Sequence, residues 1–268
     1  LNPKFILNLS LVAENFYLNK EYDKATKVLK NFDKKYEFYY WFRSKKEAQI
    51  IIKKNGYDEG IDFINSKFSK IDNPNIKIIF DIANFYKNSK NYEKAIMYYS
   101  KIISLLSNNP EVKSDLLYRR GGSYERLGNY EKADEDLLNS LKINPDDAYV
   151  LNYLAYSWLE RDYKIDEAME MLKKAYDLRS NDPYITDSIG WAYYLIENYI
   201  EAEKYLKKAV ELMPEDATVN DHYGDILWKL NRNMQARYFW NYVLSLDNAD
   251  EEIKQKINIK ILEGLKNS

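Results

Sequence analysis

The sequence of 268 residues contains no cysteine, which excludes disulfide bonds, thiolate metal sites and thiol nucleophiles. Its one histidine, His222, excludes histidine-rich metal sites and leaves a single candidate base for a catalytic triad. Eight glycines and six prolines are few for this length, and this scarcity disfavours an all-β fold with many tight turns. No run of the chain approaches the roughly 20 apolar residues of a membrane-spanning helix, so no direct membrane span is predicted.

Charge is nearly balanced over the whole chain, with 40 Lys+Arg against 42 Asp+Glu and a formal net charge of −2. The balance conceals an asymmetry, because residues 1–113 carry 20 basic and 13 acidic side chains, whereas residues 114–268 carry 20 and 29. The basic residues are mostly lysines, and they are scattered rather than clustered. Nucleic-acid readers concentrate basic side chains beside a recognisable motif. We therefore predict no nucleic-acid partner.

A small residue recurs seven times after a short polar turn, as in NYEKA at 91–95 and again at 129–133. The intervals are 34 to 38 residues, and the positions are Ala25, Gly60, Ala95, Ala133, Ala168, Ala202 and Ala236. A second column of small residues lies 12 or 13 positions earlier, at Ala13, Ala48, Ala83, Gly121, Ala155, Gly190 and Gly224. Two matching columns establish an internal repeat of about 34 residues.

Each repeat holds two apolar-periodic segments of about 12 to 14 residues, and a short polar break divides them. Such a break predicts two antiparallel neighbouring helices. The small residues let the two backbones approach closely, while large side chains such as Tyr124 and Leu137 fill the space around them. Prolines at 110, 145, 183 and 214 fall between repeats, where one helix must end and the next must begin.

These features resemble the tetratricopeptide repeat (TPR) family. The best unit, residues 114–147, carries the family's pattern of a small residue, an aromatic residue, a polar break, an alanine and a closing proline. The residues that match the pattern are Leu117, Gly121, Tyr124, Gly128, Tyr130, Ala133 and Pro145. The resemblance covers about nine-tenths of the chain, with units at 6–39, 41–74, 76–109, 114–147, 148–182, 183–216 and 217–250. It implies an all-α fold, namely a right-handed α-solenoid of about seven TPR helix hairpins plus a C-terminal capping helix.

Four segments are predicted along the chain. Residues 1–109 form degenerate N-terminal TPR units in a basic block, and residues 110–113 form a joint between two blocks. Residues 114–250 form four well-formed TPR units in an acidic block. Residues 251–268 form a capping helix and tail, because their apolar residues keep helical spacing without the small-residue column. A terminal helix of this kind shields the apolar face of the last repeat.

In TPR proteins, positions 2, 5, 6, 9, 12 and 13 of the first helix line a concave groove, and helical spacing places these positions on one face. In units four to seven they are rich in tyrosine, tryptophan and acidic residues, which suit an open binding surface. Asn152, Asp187 and Asp221 occupy the same position in consecutive units and predict a polar ladder for an extended peptide. The predicted peptide-binding residues are Arg119, Arg126, Tyr149, Asn152, Tyr153, Tyr156, Tyr184, Asp187, Trp191, Tyr194, Asp221, His222, Asp225 and Trp228. The alternative is that these aromatics pack against adjacent units.

The sequence predicts no catalytic, metal or cofactor site, and therefore no enzyme. His222 lies near Asp221 and Asp225, but no nucleophile at a strained turn accompanies it. Gly121 and Gly122 lack the Walker lysine and fall within a predicted helix, so they do not form a phosphate loop.

One specialised group of TPR proteins grips the carboxylate tail of chaperones with lysine, asparagine, asparagine, lysine and arginine over three consecutive units. Units three to five offer at those places Phe80, Asn84, Arg119, Tyr149 and Tyr153. The other frames also fail, so that specialism is not predicted.

The combined interpretation is a non-catalytic scaffold that binds a protein or extended peptide in the concave groove. The strings NYLAYSWLERDYKIDEA and NDHYGDILWKL look like the C-terminal block of bacterial, often proteobacterial, cell-envelope TPR proteins. That resemblance implies a role in cell-envelope assembly and a periplasmic or outer-membrane-associated location, with a cytoplasmic location as the alternative. Two other functions stay open, namely the TPR arm of a larger enzyme and a structural adaptor or oligomerisation module. The residues leave partner identity, pathway and oligomeric state open.

Overall fold

The computed structural model describes residues 3–31, 37–106 and 109–265, with side chains at 8–31, 40–106 and 109–265. Within these ranges every regular element is an α-helix, and 15 helices follow one another. They are α1 (Pro3–Leu18), α2 (Tyr22–Leu29), α3 (Glu37–Asn55), α4 (Tyr57–Phe68), α5 (Ile76–Asn88), α6 (Tyr92–Leu105), α7 (Pro110–Arg126), α8 (Tyr130–Ile143), α9 (Ala148–Leu159), α10 (Ile165–Leu178), α11 (Pro183–Leu195), α12 (Tyr199–Leu212), α13 (Ala217–Lys229), α14 (Asn233–Ser245) and α15 (Glu251–Glu263).

The chain forms two compact units, Leu1–Asp136 and Leu137–Ser268. In the first unit α1 packs on α2, α3 on α4 and α5 on α6, and each pair also contacts the helix that follows it. In the second unit the pairs are α9 with α10, α11 with α12 and α13 with α14, with the same contact from each pair to the next helix. Helical hairpins stacked in chain order are an α-solenoid, as the repeat predicts.

The two columns of small residues lie inside the hairpins. Ala83, Ala95, Ala155 and Ala202 are completely buried. At Gly224 a β-carbon would lie 2.4 Å from Trp240 Nε1, so the first helix of the last hairpin touches the indole of the second. Contact this close explains why alanine or glycine recurs at these positions.

In four of the hairpins the break is a tight turn with one residue in the left-handed region. This residue is Lys90 in the third hairpin, Gly128 in the fourth, Glu197 in the sixth and Asn231 in the seventh, with φ between 60° and 72°. The amide of the next residue donates to the carbonyl five residues earlier, for example Asn198 N to Tyr193 O at 2.9 Å. This Schellman pattern ends the first helix and reverses the chain direction.

The first helix of each later hairpin begins at an aspartate or asparagine that accepts backbone amides. Asp182 Oδ1 accepts from Tyr184 N and Ile185 N at 3.0 and 3.1 Å, and Asp147 and Asp216 make the same pair of bonds for α9 and α13. These caps satisfy amides that a helix start otherwise leaves unpaired. They fix where each inner helix begins and therefore which side chains share its exposed face.

The capping helix is present as α15, and Ile257 is its completely buried apolar contact. Residues 110–113, which composition and spacing predict as a joint, form the first turn of α7 within the first compact unit. Pro110 occupies the first helical position there, where its missing N–H costs no hydrogen bond. The division into a basic and an acidic block stays a prediction from composition.

Candidate functional site

The predicted peptide-binding residues lie on the first helices of four hairpins. Arg119 and Arg126 are on α7 in the first unit, and the other twelve are on α9, α11 and α13 in the second unit. On α9 the spacing of Tyr149, Asn152 and Tyr156 places them on one face of the helix. Within the second unit α11 contacts both α9 and α13, so these faces adjoin.

Two hydrogen bonds join α9 to α11 across this face. Tyr149 OH donates to Asp182 Oδ2 at 3.1 Å, and Trp191 Nε1 donates to Glu160 Oε1 at 2.9 Å. Asp182 is also the N-cap that holds the amide of Tyr184. The rings of Tyr149 and Tyr184 are 44% and 58% exposed although their backbones are fixed by capped helix starts. They are ordered aromatic surface open to solvent.

A buried ion pair joins α11 to α13. His222 Nδ1 lies 2.9 Å from Asp187 Oδ2, and both side chains are buried. The imidazole stacks on the indole of Trp191, with ring centroids 4.0 Å apart, and the same indole stacks on Tyr194 at 4.5 Å. His222 therefore holds two helices together by charge and by ring contact.

Electrostatics favours the charged form of His222. Burial alone would lower its pKa, but the charge and hydrogen bond of Asp187, together with Asp221 and Asp225, outweigh burial and raise the pKa above 6.5. Burial and the neighbouring charge of Asp221 raise the pKa of Asp225 to about 6, although Lys260 and His222 act in the opposite direction. The cluster is thus built to hold a protonated imidazole beside its carboxylates.

The capping helix closes the face at α13. Lys260 Nζ donates to Asp221 Oδ1 at 2.6 Å and to both oxygens of Asp225 at 2.8 Å. Asp225 Oδ1 also accepts from Trp240 Nε1 at 3.1 Å. Trp228 lies beside Gly264, where a β-carbon would approach its ring to 2.1 Å. The acidic residues of α13 in the predicted groove are therefore bonded to α15.

Two residues of the predicted polar ladder are bonded within the protein. Asp187 is bonded to His222 on α13, and Asp221 is bonded to Lys260 on α15. These side chains join hairpins instead. The remaining rung, Asn152, has a buried Oδ1 that no described group reaches with a hydrogen bond. We call Tyr149, Asn152, Tyr153, Tyr156, Tyr184 and Trp191 the tyrosine face.

The two predicted arginines lie in the first unit. Arg119 donates to Asp115 at 2.9 Å and packs its guanidinium over Phe80, 5.1 Å from the ring centre. Arg126 is exposed beside Glu125, at 3.5 Å. A third arginine of α7, Arg120, donates two hydrogen bonds of 2.7 Å to Asp136. Sequence reasoning missed Arg120, because its partner lies on the other helix of the hairpin and no motif marks it.

Sequence reasoning also missed a cavity of about 270 Å³ in the first unit. Tyr17 of α1 and Tyr57 of α4 line it together with residues of α3 and α5. We call the lysine, amide and aspartate side chains of its lining the N-terminal pocket: Lys45, Gln49, Lys53, Asp81, Asn84 and Asn88. They occupy the same groove positions of units two and three that were inspected in units four to seven. The sequence contains these amides and lysines at the groove positions, but the prediction of binding residues was based on aromatic side chains and left them out.

In the described ranges no three His, Asp or Glu side chains are arranged to hold a metal ion. None of the helices described there combines the length and the apolar character needed to cross a membrane.

Comparison with known proteins gives three kinds of match. Models of the tetratricopeptide repeat match residues 76–109, 114–147 and 188–216. The chain is 29% identical over 160 residues to a TPR repeat-containing protein of Pseudomonas aeruginosa, covering 60% of the chain and 26% of that protein. It is 30% identical over 113 residues to the lipoprotein NlpI homolog of Haemophilus influenzae, covering 42% of the chain and 35% of that protein. The chain thus spans about a quarter of the first relative and about a third of the second.

A solved structure of a tetratricopeptide repeat protein from Parabacteroides merdae matches with a TM-score of 0.61 at 16% identity. The match covers 84% of the chain and 88% of that protein, and at this identity it shows the fold alone. Three repeat matches, related TPR proteins and a shared solenoid agree with the seven repeats read from the sequence. Residues 76–109, 114–147 and 188–216 are thus tetratricopeptide repeats, and the chain shares the solenoid fold of a TPR protein.

Proposed function

We propose that the chain is a non-catalytic scaffold that binds an extended protein segment on the tyrosine face. The observation that carries the proposal is the exposure of Tyr149 and Tyr184, 44% and 58%, on helix starts fixed by hydrogen bonds. Tyrosine brings a large contact area with only two side-chain torsions to order, so fixed and exposed tyrosines suit binding. TPR repeats are protein-interaction modules, which supports the same function.

The bonded carboxylates of the groove limit what the proposed ligand can be. Asp187 and Asp221 are bonded to His222 and Lys260, so they do not select a basic segment. The proposed ligand is therefore a neutral, extended peptide whose apolar side chains lie on the tyrosine rings.

Peptide display against the purified full chain, followed by titration calorimetry of a selected peptide, tests the proposal. Tyr184→Ala should cost about 2 kcal/mol of binding free energy, as anchor residues of interfaces do. The matched control is Tyr238→Ala on α14, since Tyr238 is also an exposed tyrosine, at 68%, and lies outside the tyrosine face.

Equal losses of binding free energy in Tyr184→Ala and Tyr238→Ala would reject the tyrosine face as the peptide-binding site. Unchanged affinity in Tyr184→Ala would also reject it. Circular dichroism of each variant separates loss of the site from loss of the fold.

We further propose a location in the bacterial cell envelope. The support is the 30% identity to a protein described as a lipoprotein, together with the resemblance of units five to seven to envelope TPR proteins. Release of the tagged protein from cells when the outer membrane is opened, with a cytoplasmic marker retained, is the expected result. Retention with the cytoplasmic marker would contradict this location.

A further inference from the structure

Two exposed apolar side chains stand at equivalent places of the last two hairpins. Ile200 and Met234 are 80% and 87% exposed. Each lies two residues before the buried small residue of its second helix, Ala202 or Ala236. The other five repeats carry an aspartate or a glutamate at this place, namely Asp23, Asp58, Glu93, Glu131 and Asp166. An acidic residue is favourable in the first turn of a helix, because it interacts with the helix dipole. Units six and seven therefore carry an apolar side chain where the local structure favours a charge.

These side chains belong to one surface, which we call the apolar patch: Ile200, Met234 and Tyr238. Tyr238 lies one turn after Met234 on the same side of α14, and it is 68% exposed. An ion pair between Glu203 of α12 and Arg232, the N-cap of α14, joins the two helix starts. The apolar patch therefore lies on the second helices of its hairpins, whereas the groove positions lie on the first helices.

The charges around the apolar patch cancel. Within four residues of Ile200 or Met234 along the chain there are three acidic and three basic side chains, namely Glu197, Glu201, Glu203, Lys204, Arg232 and Arg237. Glu201 pairs with Lys204 at 3.0 Å, and Glu203 pairs with Arg232. By contrast, residues 114–268 as a whole carry 29 acidic and 20 basic side chains. Two copies of this acidic block can therefore meet at the apolar patch without repulsion between like charges.

We propose that the apolar patch is the contact surface of a homodimer, in which a second copy of this chain covers it by two-fold symmetry. In a two-fold interface the same surface faces itself, so a surface that carries a net charge meets its own sign, whereas a neutral apolar surface does not. Ile200 and Met234 are equivalent positions one hairpin apart. A half-turn about an axis between them places Ile200 opposite the partner's Met234, and Met234 opposite the partner's Ile200. The apolar patch is thus complementary to itself in both charge and spacing.

Sedimentation velocity of the full chain over a series of concentrations tests the proposal. The unaltered chain should pass from monomer to dimer as its concentration rises. Ile200→Glu should raise the dissociation constant of the dimer by about a hundredfold, because one substitution removes an apolar contact and adds a charge on both sides of the interface. Met97→Glu is the matched control, since Met97 is also an exposed apolar residue of a second helix, at 53%, and lies in the first unit. We expect Met97→Glu to dimerise within about twofold of the unaltered chain.

Two further measurements separate the interface from a folding effect. Ile200→Glu introduces the residue type of the other repeats, so it should not lower the midpoint of thermal unfolding at a concentration where the chain is monomeric. The chain has no cysteine, so an introduced disulfide reports the geometry of the dimer directly. A chain carrying Ile200→Cys, mixed with one carrying Met234→Cys, should form a disulfide-linked heterodimer on oxidation faster than either chain forms a linked homodimer.

A chain that stays monomeric at every concentration would overturn the proposal, as would equal weakening of the dimer by Ile200→Glu and Met97→Glu. Growth into open-ended assemblies would replace the two-fold contact by a head-to-tail one and would also overturn it. Binding of a monomeric chain to phosphatidylcholine vesicles, lost in Ile200→Glu, would reassign the apolar patch to a lipid surface. The tyrosine face lies on α9 and α11, so Tyr184→Ala should leave the dimer intact whether or not that face binds a peptide.

Discussion

The buried pair of His222 and Asp187 makes a prediction that a single resonance can test. His222 is the one histidine of the chain, so its imidazole gives one titration curve by NMR. The pKa of His222 should lie above 6.5 in the folded chain, because Asp187, Asp221 and Asp225 outweigh the effect of burial. In Asp187→Asn the nearest negative charge is gone while burial remains, so the imidazole pKa should fall.

The same pair should make stability depend on pH in a defined direction. A histidine whose folded pKa is raised contributes stability that is fully present below 6.5 and lost as the pH rises through the folded pKa. Each unit by which the pKa is raised corresponds to about 1.4 kcal/mol. Asp225 acts with the same sign at lower pH, since its raised pKa gives stability that is lost as the pH rises from 3.8 through about 6. Above about pH 6.5 the change is therefore that of His222.

The size of the effect follows from the contacts. The hydrogen bond of a charged imidazole to Asp187 contributes about 1.5 to 3 kcal/mol, and the stack on Trp191 about 1 kcal/mol more. His222→Gln should therefore lower the free energy of unfolding by roughly 3 kcal/mol at about pH 6.5 and by less at about pH 9. Urea denaturation followed by circular dichroism measures both values. A pKa at or below 6.5, or the same pH dependence in His222→Gln as in the unaltered chain, would refute the reasoning.

Three further predictions concern the fold. Gly224→Ala should cost about 1 to 3 kcal/mol, because the new methyl group would overlap the indole of Trp240, and thermal denaturation measures the loss. Lys260→Ala should cost about 3 to 5 kcal/mol by leaving Asp221 and Asp225 buried without a cation, and hydrogen exchange should increase first in α15. Glu197→Gly should instead stabilise by about 1 kcal/mol, since φ is 60° there, and a fall in the urea midpoint would contradict this.

The repeat allowed most of the fold to be predicted from sequence. A period of about 34 residues encodes which side chains must be small, and the contact of Gly224 with Trp240 is the packing that the two columns predict. The capping helix was also predictable, because Ile257 continues an apolar spacing after the small residues stop. These features depend on local periodicity, which a single sequence contains in full.

The candidate site was less predictable, because its polar contacts join residues about one repeat apart. Asp187 and His222 were both assigned to the groove positions, but the pairing between them depends on two rotamers in neighbouring hairpins. Lys260 is an ordinary charged residue on a terminal helix, and nothing in its neighbourhood along the chain marks it as the partner of two aspartates. An inspection of groove positions at intervals of about 35 residues would have found the first pair but not the second.

Photo-crosslinking of a display-selected peptide to the full chain tests whether the tyrosine face of α9 and α11 contacts the ligand, with benzoylphenylalanine in place of Tyr184 in one sample and in place of Tyr238 in the other. Efficient crosslinking is expected from position 184 and little from position 238. Crosslinking from position 238 with none from position 184 would overturn the proposed peptide site.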